Sequence, residues 1–326
     1  MTVITFPSVR SSHPHLRRFD PRRDLRPVAD LIEVCFADTL DADGRRYIRQ
    51  MRAAARQPHL LRWSAGLGER PYAPFSGFVW EQDGKIVGNL SQIPVPIRGG
   101  KIYLIANVAV HPAYRRRGIA RSLTRAALEH SARRKAQSTW LHVRDDNPAA
   151  IALYRSTGFV ERARRTTWKK DGPWHDMVFP HQGLQIVPYH RAHWPLHRQW
   201  LDHDYPPSLR WYLPLHVQAL RPGLAGFLIR LFTGIDARQW AATWEGKLIA
   251  VLTWQRTRGS ADRLWLAMAP DAGDSAYQHL IQHACQHIPV NRPLLLEHAA
   301  SEEMGVHLSC LGFHPQHTLI WMEHRP

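Results

Sequence analysis

The sequence predicts an α/β protein built as two diverged copies of one domain. Strand and helix patterns alternate in a definite order through the first half, and that order returns in the second half at an offset of 154 residues. A strand that runs directly into an arginine–glycine loop and a helix points to what the first copy holds. At 326 residues the chain accommodates two domains of roughly 150 residues each. Its 44% hydrophobic and 21% charged residues exclude wholesale disorder.

In chain order, His15 to Phe19 reads as a short strand. Asp24 to Asp38 reads as an amphipathic helix carrying Val28, Leu31, Ile32 and Cys35. A second helix is predicted from Gly44 to Gln57. Gly77 to Gln82 and the run from Ile86 onward form a hairpin, because the intervening Asp83-Gly84 supplies the positive φ angles of a tight turn. A strand from Ile102 to Val110 stops at His111-Pro112, and the next helix opens near Gly118 with Ile119, Leu123, Ala126 and Ala127 on one side. Then come a strand from Thr139 to Arg144, a helix from Pro148 to Thr157 ended by Gly158, and a strand from Phe159. The turn Asp171-Gly172-Pro173 predicts one more strand near Trp174 to Phe179.

Aligning Gly158-Phe159 with Gly312-Phe313 lays LHVRDDNPAAIALYRSTGF over LLEHAASEEMGVHLSCLGF without a gap. Upstream, ATWEGKLIAVLTW follows GFVWEQDGKIVGNL, and Arg263 to Ala269 before Pro270 follows the strand that ends at Pro112. Three segments in the same order identify a tandem duplication, with domains of residues 1–180 and 181–326.

Charge is uneven between the copies. Of 43 Lys+Arg and 27 Asp+Glu, residues 1–180 hold 31 and 16, so nearly all of the net +16 lies in the first copy. Such asymmetry points to an anionic partner, whether nucleic acid, a polyphosphate cofactor or an acidic substrate; a general preference for arginine is the alternative. Three scattered cysteines give neither a disulfide framework nor a zinc site. The first fifteen residues lack the apolar core of a signal peptide, and no apolar run approaches membrane-spanning length. A cytoplasmic protein without membrane contact is expected.

The segment from Val108 to Ala120 is the strongest chemical signal. A strand leading into Arg115-Arg116-Arg117-Gly118 and then a helix exposes backbone N–H groups at the positive end of a helix dipole, a geometry that holds a pyrophosphate. Gly118 permits close approach of the backbone, and Ala120 leaves the helix start uncrowded. The loop is neither GxxxxGK[ST] nor GxGxxG.

Arg115, Gly118 and Ala120 fit the R/Q-x-x-G-x-G/A loop of the GNAT acetyltransferase superfamily, which the segment resembles. Asn147, Ala150, Leu153, Tyr154, Gly158 and Phe159 are similar to that superfamily's Asn-x-x-Ala-x-x-Leu-Tyr-x-x-x-Gly-Phe stretch. The resemblance covers residues 14–180. It implies a mixed, strongly twisted sheet flanked by helices in each of two GNAT-like domains, with acetyl-CoA in a splay between the two central strands. Val108, Ala109 and Val110 would then offer backbone hydrogen bonds to the pantetheine arm. Arg115, Arg116, Arg117, Gly118, Ile119, Ala120 and Arg121 would hold the pyrophosphate, and Asn147 would lie near the pantetheine.

Acetyl transfer to an amine requires the amine to lose a proton, the oxyanion to be stabilised and the thiolate leaving group to be protonated. In the family frame Tyr154 is the acid and helps hold the cofactor. Relatives resembling the ribosomal-protein N-terminal acetyltransferases carry a Glu as base twelve residues before the Tyr, where this chain has His142. An imidazole suits a base near neutral pH, and the residue stands as direct base, water-relay partner or bystander. Leu104 and Ala106 fill the places of the fourth-strand base of other members, and Asn107 is a second candidate for orienting a water.

Arg45, Arg49, Arg52 and Arg56 form one basic stripe on the second helix, which steers an acidic acceptor or else is a solvated face. The acceptor amine is open: small amine, antibiotic, peptide N-terminus or protein lysine, with the oligomeric state equally open. A non-catalytic acyl-CoA sensor is the runner-up. A nucleic-acid-binding protein ranks below it, because no nucleic-acid motif is present. The second copy is expected to bind no CoA. It has Leu308 for Tyr154, Leu296 for His142 and Ser301 for Asn147, and Asp271 and Asp274 where the arginines should be. A packing role beside the acceptor cleft is expected for it instead.

Overall fold

The computed structural model describes residues 13–40, 42–56, 76–172, 183–288 and 292–326. They form two units, residues 1–162 with 321–326 and residues 163–320. The strand expected near Trp174 to Phe179 lies outside the described residues.

The first unit begins with β1 (Leu16–Arg18), α1 (Pro21–Phe36) and α2 (Ala42–Ala55). The sheet continues with β2 (Gly77–Gln82), β3 (Lys85–Ile97) and β4 (Gly100–Val110), then α3 (Ile119–Arg133), β5 (Thr139–Arg144) and α4 (Pro148–Ser156). Strands β1 to β4 pair antiparallel in sequence, and β4 pairs parallel with β5 across the α3 crossover. Local signals explain the elements: Asp20 caps α1 by accepting from Arg22 N–H, and Asp83 (φ 51°) and Gly84 (φ 72°) make the β2–β3 turn. The apolar faces of α1 and α2 (Leu25, Val28, Ile32, Ile48, Met51) close with Val79 and Ala109 into one core.

The second unit repeats the pattern. It holds β7 (Leu184–Pro188), α5 (Trp194–Asp204), α6 (Pro207–Arg210), α7 (Leu224–Thr233), β8 (Ala237–Trp244) and β9 (Lys247–Gln255). It continues with β10 (Asp262–Met268), α8 (Asp274–His287), β11 (Leu294–Ala299) and α9 (Glu302–Cys310). Three antiparallel pairings, β7 to β10, are again followed by a parallel one, β10 with β11. Even a helix cap recurs at the repeat offset: Asn147 Oδ1 accepts from Ala150 N–H (3.1 Å), and Ser301 Oγ from Met304 N–H (3.4 Å).

The units divide differently from the repeats read at residue 180. Strand β6 (Val160–Lys170), which closes the first repeat in sequence, gives residues 163–170 to the second unit, where it pairs antiparallel with β11. Strand β12 (His314–His324), at the end of the second repeat, gives residues 321–324 to the first unit, where it neighbours β5. Buried charges hold each end. Arg165, 4% exposed, donates to Glu297 Oε1 (3.0 Å) and to Asp204 O (2.9 Å) within the second unit. Glu323, 5% exposed, takes Arg162 (3.0 Å) and Arg325 (3.1 Å) within the first. Two adjacent repeats whose last strands carry the same pairing edge can exchange them, and local pattern does not distinguish the two outcomes.

Candidate active site

Strand β4 carries the first irregularity of the site. Asn89 faces Ala109 and Ser91 faces Ala106, so two residues, Asn107 and Val108, stand opposite Leu90. Asn107 adopts φ 51°, a left-handed conformation that costs a non-glycine residue and is held here by polar contacts. Asn89 Nδ2 donates to Asn107 O (2.9 Å), and Asn107 Nδ2 donates to Tyr47 Oη (3.2 Å). Burial pushes the Tyr47 phenol up to about 12, so it stays protonated. The parallel pairing of β4 with β5 is confined to residues 103–105 and 139–141. Beyond Ile105 the strands carry no further pairing, in line with the splay that the resemblance implies.

The basic loop follows. His111 Nδ1 accepts from Ala113 N–H (3.3 Å) to cap a single turn over Pro112–Tyr114. Arg115 Nε donates to Val110 O (3.2 Å), and Arg117 stacks on the Tyr114 ring at 5.0 Å while donating to Ala113 O. Arg116 (φ 64°) and Gly118 (φ 77°) are both left-handed. A Cβ on Gly118 would meet nothing within 4 Å, so its glycine answers the backbone angle and open approach rather than crowding. The first helical bond runs from Ser122 N–H to Gly118 O (3.0 Å), which leaves the N–H groups of Ile119, Ala120 and Arg121 at the open end of α3. Residues 115–118 and Arg121 are exposed. These features fit a pyrophosphate: unpaired N–H groups, a helix dipole and exposed arginines all fall within residues 115–121, where the strand ends.

Of the other residues singled out in the sequence, Tyr154 is buried at 6% exposure in α4, its ring 5.9 Å from Phe159. Its hydroxyl has no hydrogen-bond partner among the described residues, and burial raises its pKa, so the phenol keeps its proton. Arg121 Nη2 reaches Ser156 Oγ (3.3 Å) and ties the start of α3 to the Tyr154 helix. Asn147 spends its Oδ1 on the α4 cap, which leaves its amide N–H groups for a ligand. His142 packs against Trp321 with ring centroids 4.1 Å apart, and burial lowers its pKa to about 3. A proton placed on this ring at neutral pH is disfavoured, which weighs against the direct-base role. Val108 and Val110 are half-buried and Ala109 is buried.

The basic stripe does not stay one free face. Arg52 forks onto Asp30 and Glu33 (both 2.6 Å), and Arg45 donates to Leu40 O (2.6 Å). Sequence reading missed Tyr47, whose only signal is its place on the buried side of α2, and the contact of Trp321 with His142, which no local signal carries.

Fold and loop together define an α/β unit with an exposed basic loop at the start of α3 and a buried, protonated phenol on α4. Residues 42–159 match the acetyltransferase (GNAT) family model. The ribosomal protein bS18-alanine N-acetyltransferase of Escherichia coli strain K12 is 42% identical over 62 residues, 19% of this chain and 42% of that protein. A mycothiol acetyltransferase of Tsukamurella paurometabola is 36% identical over 90 residues, 27% of this chain and 30% of that one. The matches thus span less than half the length of these relatives. A solved tandem GNAT protein from the clavulanic acid biosynthesis pathway superposes with a TM-score of 0.51 at 16% identity, over 95% of this chain and 98% of that one, and shows the shared fold. No helix among the described residues is long and apolar enough to cross a membrane.

Proposed function

We propose that the first repeat, residues 1–180 in sequence, is an acetyl-CoA-dependent N-acetyltransferase that moves an acetyl group directly to an amine. The carrying observation is the loop from Val110 to Arg121, where left-handed Gly118 opens α3 beside a bulged β4 that parts from β5. Arg115, Arg116, Arg117 and Arg121 with the α3 N–H groups would hold the pyrophosphate, and the backbone of Val108 to Val110 the pantetheine arm. Bound acetyl-CoA supplies an activated acyl thioester.

The chain's own residues supply the proton handling. Tyr154, kept protonated by burial, donates to the departing sulfur. His142, held neutral, orients water or walls the cleft rather than taking the amine proton directly. Asn107, fixed by its bulge and by Tyr47, is placed to orient a water that carries this proton away.

The acceptor is an amine of a small molecule or of a peptide or protein. The relative named as a ribosomal-protein alanine N-acetyltransferase supports the amine class. The second repeat takes no cofactor in this reading, because Leu308, fully buried, stands where the acid would be. A cytoplasmic setting accords with these assignments.

Calorimetry with acetyl-CoA and a transfer assay against a panel of amines and peptides tests the reading. One acetyl-CoA per chain and acetylation of at least one amine are expected. Binding without transfer to any acceptor would favour an acyl-CoA sensor.

A further inference from the structure

A second basic feature lies away from the loop. A hollow of about 340 Å³ between the N-terminal half of α1 and the C-terminal end of α2 is lined by Arg22, Arg23, Arg26, Arg52 and Arg56, with Asp30 its one carboxylate. Arg22 and Arg26 sit one turn apart on α1, and Arg52 lies in the last turn of α2 with Arg56 just beyond its end, so two like-charged pairs line a shared space. Two of the five are already matched. Arg52 forks onto Asp30 and Glu33, and Arg23 lies against Asp24 (3.5 Å) and Glu81 (3.4 Å). Arg22, Arg26 and Arg56 are exposed and have no side-chain partner among the described residues.

We propose that this hollow binds a compact polyphosphate anion, at a site separate from the loop at Gly118. Three free guanidinium groups match an ion carrying three or more negative charges, and their planar forks pair with phosphate oxygens two at a time. The lining has no ring on which a base stacks, and its apolar members are Leu25, buried at 1% exposure, and Ala55. The hollow therefore recognises charge and size, not a nucleobase or an acyl chain. Separation from the loop follows from the helix itself. Cys35, near the other end of α1, donates to Val110 O (3.3 Å), the carbonyl that also takes Arg115. Arg22 and Arg26 are nine to thirteen residues away from Cys35, roughly 14–20 Å along the helix axis.

The experiment titrates inorganic pyrophosphate into the full chain by calorimetry, comparing the parent with Arg22→Ala/Arg26→Ala, with Arg56→Ala and with Gly118→Glu. Acetyl-CoA is titrated into the same proteins. Pyrophosphate binding should survive Gly118→Glu and weaken about tenfold or more in the arginine variants, which leave acetyl-CoA affinity unchanged. It should also weaken as salt is raised. Because the arginines substituted are exposed, thermal melting should show both arginine variants folded. Pyrophosphate binding lost in Gly118→Glu and kept in the arginine variants overturns the proposal, as does no binding to any of the four proteins. In Gly118→Glu, where the loop no longer takes a nucleotide, ADP binding much tighter than pyrophosphate overturns the compact-anion assignment. Failure of acetyl-CoA to bind the parent would strike at the loop alone and leave this site standing.

Discussion

Trp321, on strand β12, packs its indole against the imidazole of His142 with ring centroids 4.1 Å apart and the planes tilted by 38°, inside the unit formed by residues 1–162 and 321–326. A residue read as part of the second repeat thereby sets the environment of a candidate catalytic residue in the first. Burial against this ring and its neighbours is what lowers His142 to about 3.

The phosphate loop is tested by Gly118→Glu. The glycine sits at φ 77° with open space beyond it, so the new carboxylate would project where phosphates approach. Calorimetry should show acetyl-CoA binding abolished in a protein that melts close to the parent, and unchanged affinity would remove the loop as the site.

Tyr154→Phe deletes a hydroxyl that no described residue engages, so the fold should be undisturbed. The expected result is a kcat lowered by about 10²-fold or more, with cofactor affinity nearly unchanged. Normal turnover would show that the phenol only packs.

His142 gives a pH signature. Its folded pKa, about 3, lies below the ordinary 6.5, so folding favours the neutral ring. That contribution is present above about 6.5 and is lost as pH falls toward 3. Replacing it as the second repeat does at the aligned position, His142→Leu, should leave stability near pH 7 little changed and flatten its acid decline in urea titrations. The kcat/KM profile of the variant should keep the parent's inflections. Loss of an inflection near neutral pH would instead make His142 the base.

The exchanged strands predict two stability effects. Glu297→Ala leaves Arg165, 4% exposed, without its carboxylate and should cost about 3–5 kcal/mol. Trp321→Ala removes a ring that is 1% exposed and should cost about 3–5 kcal/mol. Denaturant melts read both. A fragment of residues 1–180 lacks residues 321–326 of its own unit and should melt well below the full chain, and a fragment as stable as the first unit in the full chain would refute the exchange.

Much of the fold was legible because its signals are local. Asp83-Gly84 makes the β2–β3 turn, Thr139–Arg144 is a strand at the expected residues, and Gly118 opens α3. Helix starts were less well placed: α1 begins at Pro21 rather than Asp24, because Asp20 caps it and a proline suits the first helical turn. Of the site, the loop and Tyr154 were readable from spacing and motif. The bulge at Asn107 was not, since two residues opposite one is a property of the pairing of β3 with β4.

The amino-acid sequence alone determined the element order and the strand–arginine–glycine–helix arrangement of the basic loop, set by spacings within a few residues, and the tandem repeat, set by the return of that order. Tertiary structure decided which unit receives β6 and β12, because both edges offer the same pairing and only distant partners, Glu297 for Arg165 and Arg162 for Glu323, separate them. It also decided that Arg52 is spent on Asp30 and Glu33, and that His142 is neutral and Tyr154 protonated. Ionisation and ion pairing depend on which groups are brought together and how far water is excluded, and no run of residues along the chain encodes that.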